Sequence, residues 1–263
     1  MTQIHPLAAV DPRAELGEGV VVGPFCYIEE GAQIGDGCIL DSHVTIKRGA
    51  TLGRGNKVGQ GTVLGGDPQF RGYDGAPTFL TIGDNNVFRE YVTVHRASKE
   101  GNATTIANDC YVMGYCHIAH DCHLEDFITM ANQASLAGHV TVERMAVIGG
   151  MSGVHQFARV GKVTMIGAFS KITRDVPPFM LVDGHHDEEV MDINAVGLRR
   201  MGIGPDARLA LHKACKLLYK SQLGLTNAMR IVREEVPQTP EVLTLLEFEE
   251  RRFGGRHGRG DQR

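Results

Sequence analysis

The stretch CYVMGYCHIAHDCHLEDF, residues 110–127, holds three cysteines and three histidines. Thiolates and imidazoles are the usual ligands of zinc, so a metal site is the first chemistry it suggests. Proton transfer is the second. His120 is followed by Asp121, and a carboxylate beside an imidazole fixes its orientation and makes it a candidate general base. Which chemistry applies depends on which of these side chains share a face, and that is set by the elements that carry them.

A period of six runs through most of the chain. Stepping by six from Ile4 to Ile172 visits 29 positions, and 25 of them hold Ile, Leu, Val or Met. An apolar fraction of about half would fill about 15. Six fits neither an amphipathic helix nor an alternating strand. It fits a chain that turns a corner every six residues, three sides to a coil of eighteen, as a triangular prism of parallel β-coils. The aliphatic residue points inward. Four places later a small residue fills the interior, as at Ala8, Ala14, Cys26, Ala32, Cys38, Cys110, Cys116, Cys122, Ala134 and Ala158. Five of the six cysteines fall in this inward phase and behave as small hydrophobes. Cys215 lies in a helical pattern and is also expected in the core.

In such a prism, residue i stacks under residue i+18, about 4.8 Å away along the axis. His120 then lies under Gly138, and Gly138 under Gln156, while Asp121 lies under His139. His117 and His123 take another outward phase. Cysteines and histidines therefore face opposite ways and cannot share one tetrahedral metal. Gly138, beside His120, leaves its backbone N–H open to a substrate, where it can stabilise a developing oxyanion. A base, an orienting acid and an oxyanion donor together suggest acyl transfer to a hydroxyl. The plainer alternative is a set of surface histidines, His117, His120, His139 and His155, on a prism face.

Other features bound the class. The chain has 263 residues and a net charge of −4, so nothing points to nucleic acid or an anionic membrane. There is no run of 18 apolar residues, hence no integral membrane segment is expected. The N-terminal stretch MTQIHPLAAVDPRAE has no signal-like pattern, which with the unpaired-looking cysteines predicts a cytoplasmic protein. GGDPQFRGYDGAPTFLT (65–81) and RASKEGNATT (96–105) should leave the prism as loops. After RDVPPF the hexads stop. Helices are predicted from Pro205, in LTNAMRIVREEV and in PEVLTLLEFEERRF, with a flexible basic tail GGRHGRGDQR. The division is a prism over 1–188 and a C-terminal helical cap over 189–263. An exposed flat prism face suits burial in a three-fold oligomer, with the site in a cleft between subunits.

The segments VGPFC, HIAHDC, ANQASLAGHV, IGGMSGVHQF, DVPPF and GLRRMG carry a resemblance over nearly the whole chain. It resembles bacterial UDP-N-acetylglucosamine acyltransferases, the first enzymes of lipid A synthesis. The resemblance implies a left-handed parallel β-helix of hexapeptide repeats, a homotrimer, and an acyl chain, 3-hydroxylated in this reading, delivered as a thioester on acyl carrier protein. The acceptor would be the 3-hydroxyl of UDP-N-acetylglucosamine, attacking directly, with no cofactor, metal or covalent intermediate. His120 would be the base, Asp121 its support and the Gly138 N–H the oxyanion donor. His117, His139, His155 and Gln156 would line the acceptor and acyl groove. Gln69, His95, His186, Asn194 and Arg200 match family substrate contacts, and Ala168 matches the place that sets acyl length, its methyl shortening the groove.

The departures cluster. The family loop usually reads Gln-Asp-x-Lys-Tyr; here QFRGY puts Phe70 at the acid and Gly72 at the lysine. In NAVGLRRM, Val196 stands at an acid and Met201 at an arginine. These positions touch sugar and nucleotide, so a different acceptor, such as a 3-amino nucleotide sugar, is the alternative. Two rivals of other classes are a prism-type carbonic anhydrase, with zinc on His117, His120 and His139, and a non-catalytic trimer binding acyl carrier protein or a nucleotide sugar.

Overall fold

The computed structural model describes residues 1–184 and 189–261. Short parallel strands stack into three sheets that form the sides of a prism. The first sheet begins with Gln3–Ile4, Val21–Val22 and Ile39–Leu40, the second with Ala9–Val10 and Tyr27–Ile28, and the third with Glu15–Leu16 and Gln33–Ile34. Val21 pairs with Ile39 and Ile39 with Lys57, a step of eighteen each time. Ile82 pairs with Leu52, thirty residues back, and Ile106 with Ile82, twenty-four back. The excesses over eighteen, 30 − 18 = 12 and 24 − 18 = 6, are the two loops. Both are multiples of six, which is why the hexad phase survives them.

The loops are shorter than the sequence suggested. Val63–Gly66, Phe79–Ile82 and Ala103–Ile106 are strands, which leaves residues 67–78 and 96–102 outside the sheets. The ends of both predicted loops have the alternating buried–exposed pattern of a strand, and the ladder captures them.

Inward aliphatics fill the prism: Ile28, Leu40, Ile46, Leu64, Ile118, Leu136 and Ile148 are all at most 1% exposed. Each such burial stabilises by roughly 1.5–3 kcal/mol. All six cysteines are free and buried. Those of the opening stretch donate to carbonyls of the next coil, Cys110 to Glu125 (3.2 Å), Cys116 to Ala131 (3.0 Å) and Cys122 to Ala137 (3.2 Å). Burial pushes the Cys110 and Cys116 thiols up to about 11 and Cys122 up to about 12. They are packing residues.

From Gly19 onward most corners place one residue in the left-handed region. Early coils use Gly19, Gly31 and Gly37 there. Asp121 (φ 59°) and His139 (φ 61°) occupy the same turn position, at about 1–2 kcal/mol each.

The prism does not end at RDVPPF. Met180–Asp183 continues the first sheet in parallel, and Glu189–Ile193 pairs antiparallel with it. The helical part therefore starts at Ala195–Arg200 (α1), followed by Pro205–Cys215 (α2), a π-helical turn Lys216–Lys220, Leu225–Glu235 (α3) and Pro240–Gly254 (α4). The three predicted helices are present; α1 was not foreseen, being only six residues with no long apolar period. The basic tail is docked as far as Asp261. Gly258 accepts from the Asp175 N–H (2.8 Å), and Gly260 N–H donates to the Asp175 carboxylate (2.7 Å). Among the described residues no helix is long and apolar enough to cross a membrane.

Candidate active site

The site lies on the edge joining the second and third sheets, here the 2/3 edge. One turn ends the strand His117–Ile118 and begins His123–Leu124, and it presents His120 and Asp121. His120 Nδ1 lies 2.7 Å from Asp121 Oδ2, with the two side chains 15% and 7% exposed. A carboxylate accepts only, so Nδ1 carries the proton and Nε2 keeps a lone pair for a substrate. The acid is itself held in place. Ser98 N–H donates to both of its oxygens (3.2 and 3.1 Å), and the Asp121 N–H donates to Thr104 Oγ1 (2.8 Å). Burial pushes the Asp121 carboxyl up, but these Ser98 bonds, His120 and His139 outweigh it and leave the group below the usual carboxylate range.

One coil above, Gly138 meets the imidazole. A Cβ at Gly138 would lie 2.6 Å from His120 Cε1 and 2.9 Å from Nε2. Only glycine lets the ring lie there. The residue entering each corner has an N–H outside the strand ladder. At some corners a neighbouring carboxylate takes it, as Asp36 does at Glu18 (2.7 Å) and Glu125 at Arg144 (2.8 Å). No described residue takes the Gly138 N–H, which leaves it open as a donor.

Further rings complete the cluster. His139 Nε2 is 3.6 Å from the Asp121 carboxylate, its ring is edge-on to His120 at 5.3 Å, and Phe157 stacks on it at 4.6 Å. His117 accepts or donates to Thr93 Oγ1 at 2.8 Å and packs against His95 at 5.2 Å. Burial pulls His95, His139 and His117 below the usual imidazole range, His117 to about 4, with neighbouring histidines adding to the effect. These three rings are neutral at pH 7.

Two loops close over the cluster through Arg96, a residue the sequence reading passed over. It is 3% exposed. Its guanidinium donates to Gly65 O (2.6 Å), Arg48 O (3.2 Å) and Tyr73 Oη (3.5 Å), and pairs with Asp67. This ties residues 67–78 to 96–102. Phe70 then lies 6.0 Å from the His120 ring. Gln69, beside it, is exposed.

Other expected residues are placed differently. Within one chain Ala168 does not approach His120: it follows the first-sheet strand Met165–Ile166 and stacks above Gly150 at the 1/2 edge. Asn194 caps α1, accepting from Gly197 N–H (3.0 Å) and donating to Val163 O (2.7 Å) at the 3/1 edge. Both of its polar atoms are used structurally. Arg200 is exposed in the last turn of α1. His155 and Gln156 lie one coil above Gly138 and are exposed, His155 Nδ1 taking a bond from Arg259 (2.6 Å). His186 lies outside the described residues. Of the residues missed, Phe157 was findable, being eighteen after His139. Thr104 was also within reach, its strand being in an eighteen-residue register with that of His123; Ser98 and Arg96 were not, because the loop over 96–102 shifts their spacing away from eighteen.

The ligand atoms of His120, Asp121 and His139 all lie within 4.8 Å of one another, close enough to share a metal ion. That set differs from His117, His120 and His139 of the zinc rival, and its carboxylate is already committed to His120 and Ser98.

Stacked hexapeptide coils, a helical cap and an edge-mounted imidazole–carboxylate pair define a hexapeptide-repeat acyltransferase on a left-handed parallel β-helix. Comparisons narrow the class. The description "Bacterial transferase hexapeptide (six repeats)" matches residues 31–66, and "Udp N-acetylglucosamine O-acyltransferase; Domain 2" matches 175–259. The acyl-(acyl-carrier-protein)-UDP-N-acetylglucosamine O-acyltransferase of Chlorobaculum tepidum is 53% identical over 248 residues, covering 94% of each chain. That of Thermodesulfovibrio yellowstonii is 43% identical, covering 94% of this chain and 96% of its own. The crystal structure of LpxA, a UDP-N-acetylglucosamine acyltransferase from Bacteroides fragilis, superposes with a TM-score of 0.90 at 33% identity, over 94% and 97% of the two chains. The chain belongs to the UDP-N-acetylglucosamine acyltransferase family.

Proposed function

We propose that this protein moves a fatty acyl group from the thioester of acyl carrier protein to the 3-hydroxyl of UDP-N-acetylglucosamine, opening lipid A synthesis. The observation that carries this is the 2.7 Å His120–Asp121 pair pressed against Gly138, in a chain whose relatives bear that activity in their names. His120 Nε2 takes the proton of the sugar hydroxyl as the oxygen attacks the thioester carbonyl. Asp121 stabilises the imidazolium that forms. The carbonyl oxygen becomes an oxyanion held by the Gly138 N–H. Collapse breaks the C–S bond, and the leaving thiolate takes the proton back from His120. His117 and His139, neutral and close by, orient the sugar; Gln69 and His95 belong to the same loop-covered side, and His155 and Gln156 to the groove above.

We also infer a homotrimer. Ala168 at the 1/2 edge and Arg200 near the 3/1 edge can act on a site at the 2/3 edge only if a neighbouring subunit supplies them. The exposed aromatic and aliphatic side chains Tyr27, Ile39, Tyr91, Tyr115 and Phe127 give the prism an apolar exterior suited to such packing. Six free, buried cysteines fit a reducing compartment, so the protein is assigned to the cytoplasm. Ala168 is proposed to favour a medium-length, hydroxylated acyl chain; equal rates across carrier proteins of graded chain length would remove it as a ruler.

Phe70 against His120 favours a second reading of the acceptor, because an aromatic ring stands where an acid would grip the sugar. A nucleotide sugar bearing a 3-amino group would then be the acceptor, and the product an amide. The test is an acceptor panel with one acyl carrier protein donor. UDP-N-acetylglucosamine giving the ester fastest supports the first reading, the 3-amino analogue giving the amide fastest supports the second, and no transfer to either rejects both.

A further inference from the structure

Above the histidine cluster, the 2/3 edge meets the C-terminal tail around a cavity of about 700 Å3. Its cationic lining comes from Lys171 and Arg174 on the prism and from Arg252 and Arg259 beyond it, with His257 and His155 also on the wall. Among the described residues no Asp or Glu lines it. Such a concentration of positive groups raises the local concentration of an anion.

Arg259 gives the cavity a built donor. It is 8% exposed, and its guanidinium donates to His155 Nδ1 (2.6 Å) and more weakly to Thr173 O (3.4 Å). Among the described residues its Nε has no hydrogen-bond partner. A buried donor left unmade costs about 1–3 kcal/mol, so an orphan of this kind calls for an acceptor. The tail is fixed around it by Asp175, which takes the Gly260 N–H at 2.7 Å. Across the cavity Lys171 is exposed on the strand Lys171–Ile172, and its ammonium makes no ion pair among the described residues. Arg252, by contrast, already pairs with the buried Glu249 at 2.7 Å.

We propose that this cavity binds a phosphate-class anion carried by a substrate, with Arg259 and Lys171 as its principal donors. The identity of the carrier rests on the acyl-transfer reading above. Gly138, Gln156 and Arg174 succeed His120 along one edge, so the cavity mouth is two to three coils, about 10–14 Å, from the base. Both proposed substrates bring phosphate to that edge: the nucleotide sugar as a diphosphate, the carrier protein as the phosphodiester of its pantetheine arm. A guanidinium fork and an ammonium match either.

The test is titration calorimetry on the full chain with UDP, with 4′-phosphopantetheine and with inorganic pyrophosphate, for the wild type, Arg259→Gln and Lys171→Gln. The expected result is that UDP or 4′-phosphopantetheine binds the wild type and that both variants weaken that same ligand by about tenfold or more. The ligand that responds identifies the carrier. Lys171→Gln decides if Arg259→Gln releases the tail, because the lysine side chain makes no hydrogen bond or ion pair among the described residues. Unchanged affinities in Lys171→Gln, no binding of either organic ligand to the wild type, or a response confined to pyrophosphate would overturn the proposal. Wild-type acyl transfer with unaffected binding in the variants removes the anion site and leaves the reaction standing. Lost binding in the variants with no wild-type transfer does the reverse.

Discussion

The chemistry of single residues here is set by close contact. Gly138→Ala places a methyl carbon where His120 Cε1 now lies within 2.6 Å. The ring must move, and a displacement of about 1 Å at a catalytic group costs about a hundredfold in rate. The expected outcome is a kcat lower by about that factor with circular dichroism unchanged; an unaltered kcat would show that the glycine is not needed for its small size. The histidines also predict an acid-sensitive fold. His117 titrates at about 4 in the folded chain because burial disfavours its charge, against an ordinary 6.5. The folded state therefore binds fewer protons than the unfolded one between those values. The stability this ring contributes is full above about 6.5 and is lost as pH falls towards 4. Thermal midpoints should drop over that window in the wild type and drop less in His117→Gln. Parallel curves would assign the acid sensitivity to other groups.

At the scale of coils and helices, the separation of thiols from imidazoles is the decisive element property. Native protein is expected to leave all six cysteines unmodified by a thiol reagent over minutes at pH 8, and to expose all six in guanidinium, because each is buried and four titrate at about 11 or above. Rapid labelling of Cys110, Cys116 or Cys122 in the native state would contradict the inward phase. The same periodicity made the prism legible in the sequence. Strict recurrence at six fixed the inward aliphatics, and the step of eighteen placed His120 beside Gly138 and Asp121 beside His139. Loops hid the rest. Arg96 and Ser98 reach the site across an insertion of six residues, so spacing alone does not align them with Asp121. The strands after residue 179 were hidden for a different reason: Glu189–Ile193 runs antiparallel and carries no hexad. The tail, rich in glycine and arginine, read as flexible because its partner Asp175 lies far away in sequence.

The whole molecule raises the question of how one chain's residues meet. Asn194 and Arg200 lie off the 2/3 edge, and Ala168 is on another corner. If sites form between subunits, co-expressed His120→Ala and Arg200→Ala chains should regain roughly a quarter of wild-type sites, since some interfaces combine two intact contributions. No recovery in demonstrably mixed trimers would place the complete site within one chain. The central claim, though, concerns the imidazole itself. Acyl transfer from carrier protein to UDP-N-acetylglucosamine should be measured side by side for the wild type and His120→Ala, with folding and assembly checked by dichroism and sedimentation. The ring lies outside the prism core, so the variant should fold and assemble unchanged while its rate falls by about 100- to 10,000-fold, the range for loss of a general base. A properly folded His120→Ala protein that transfers acyl groups at the wild-type rate would contradict the account.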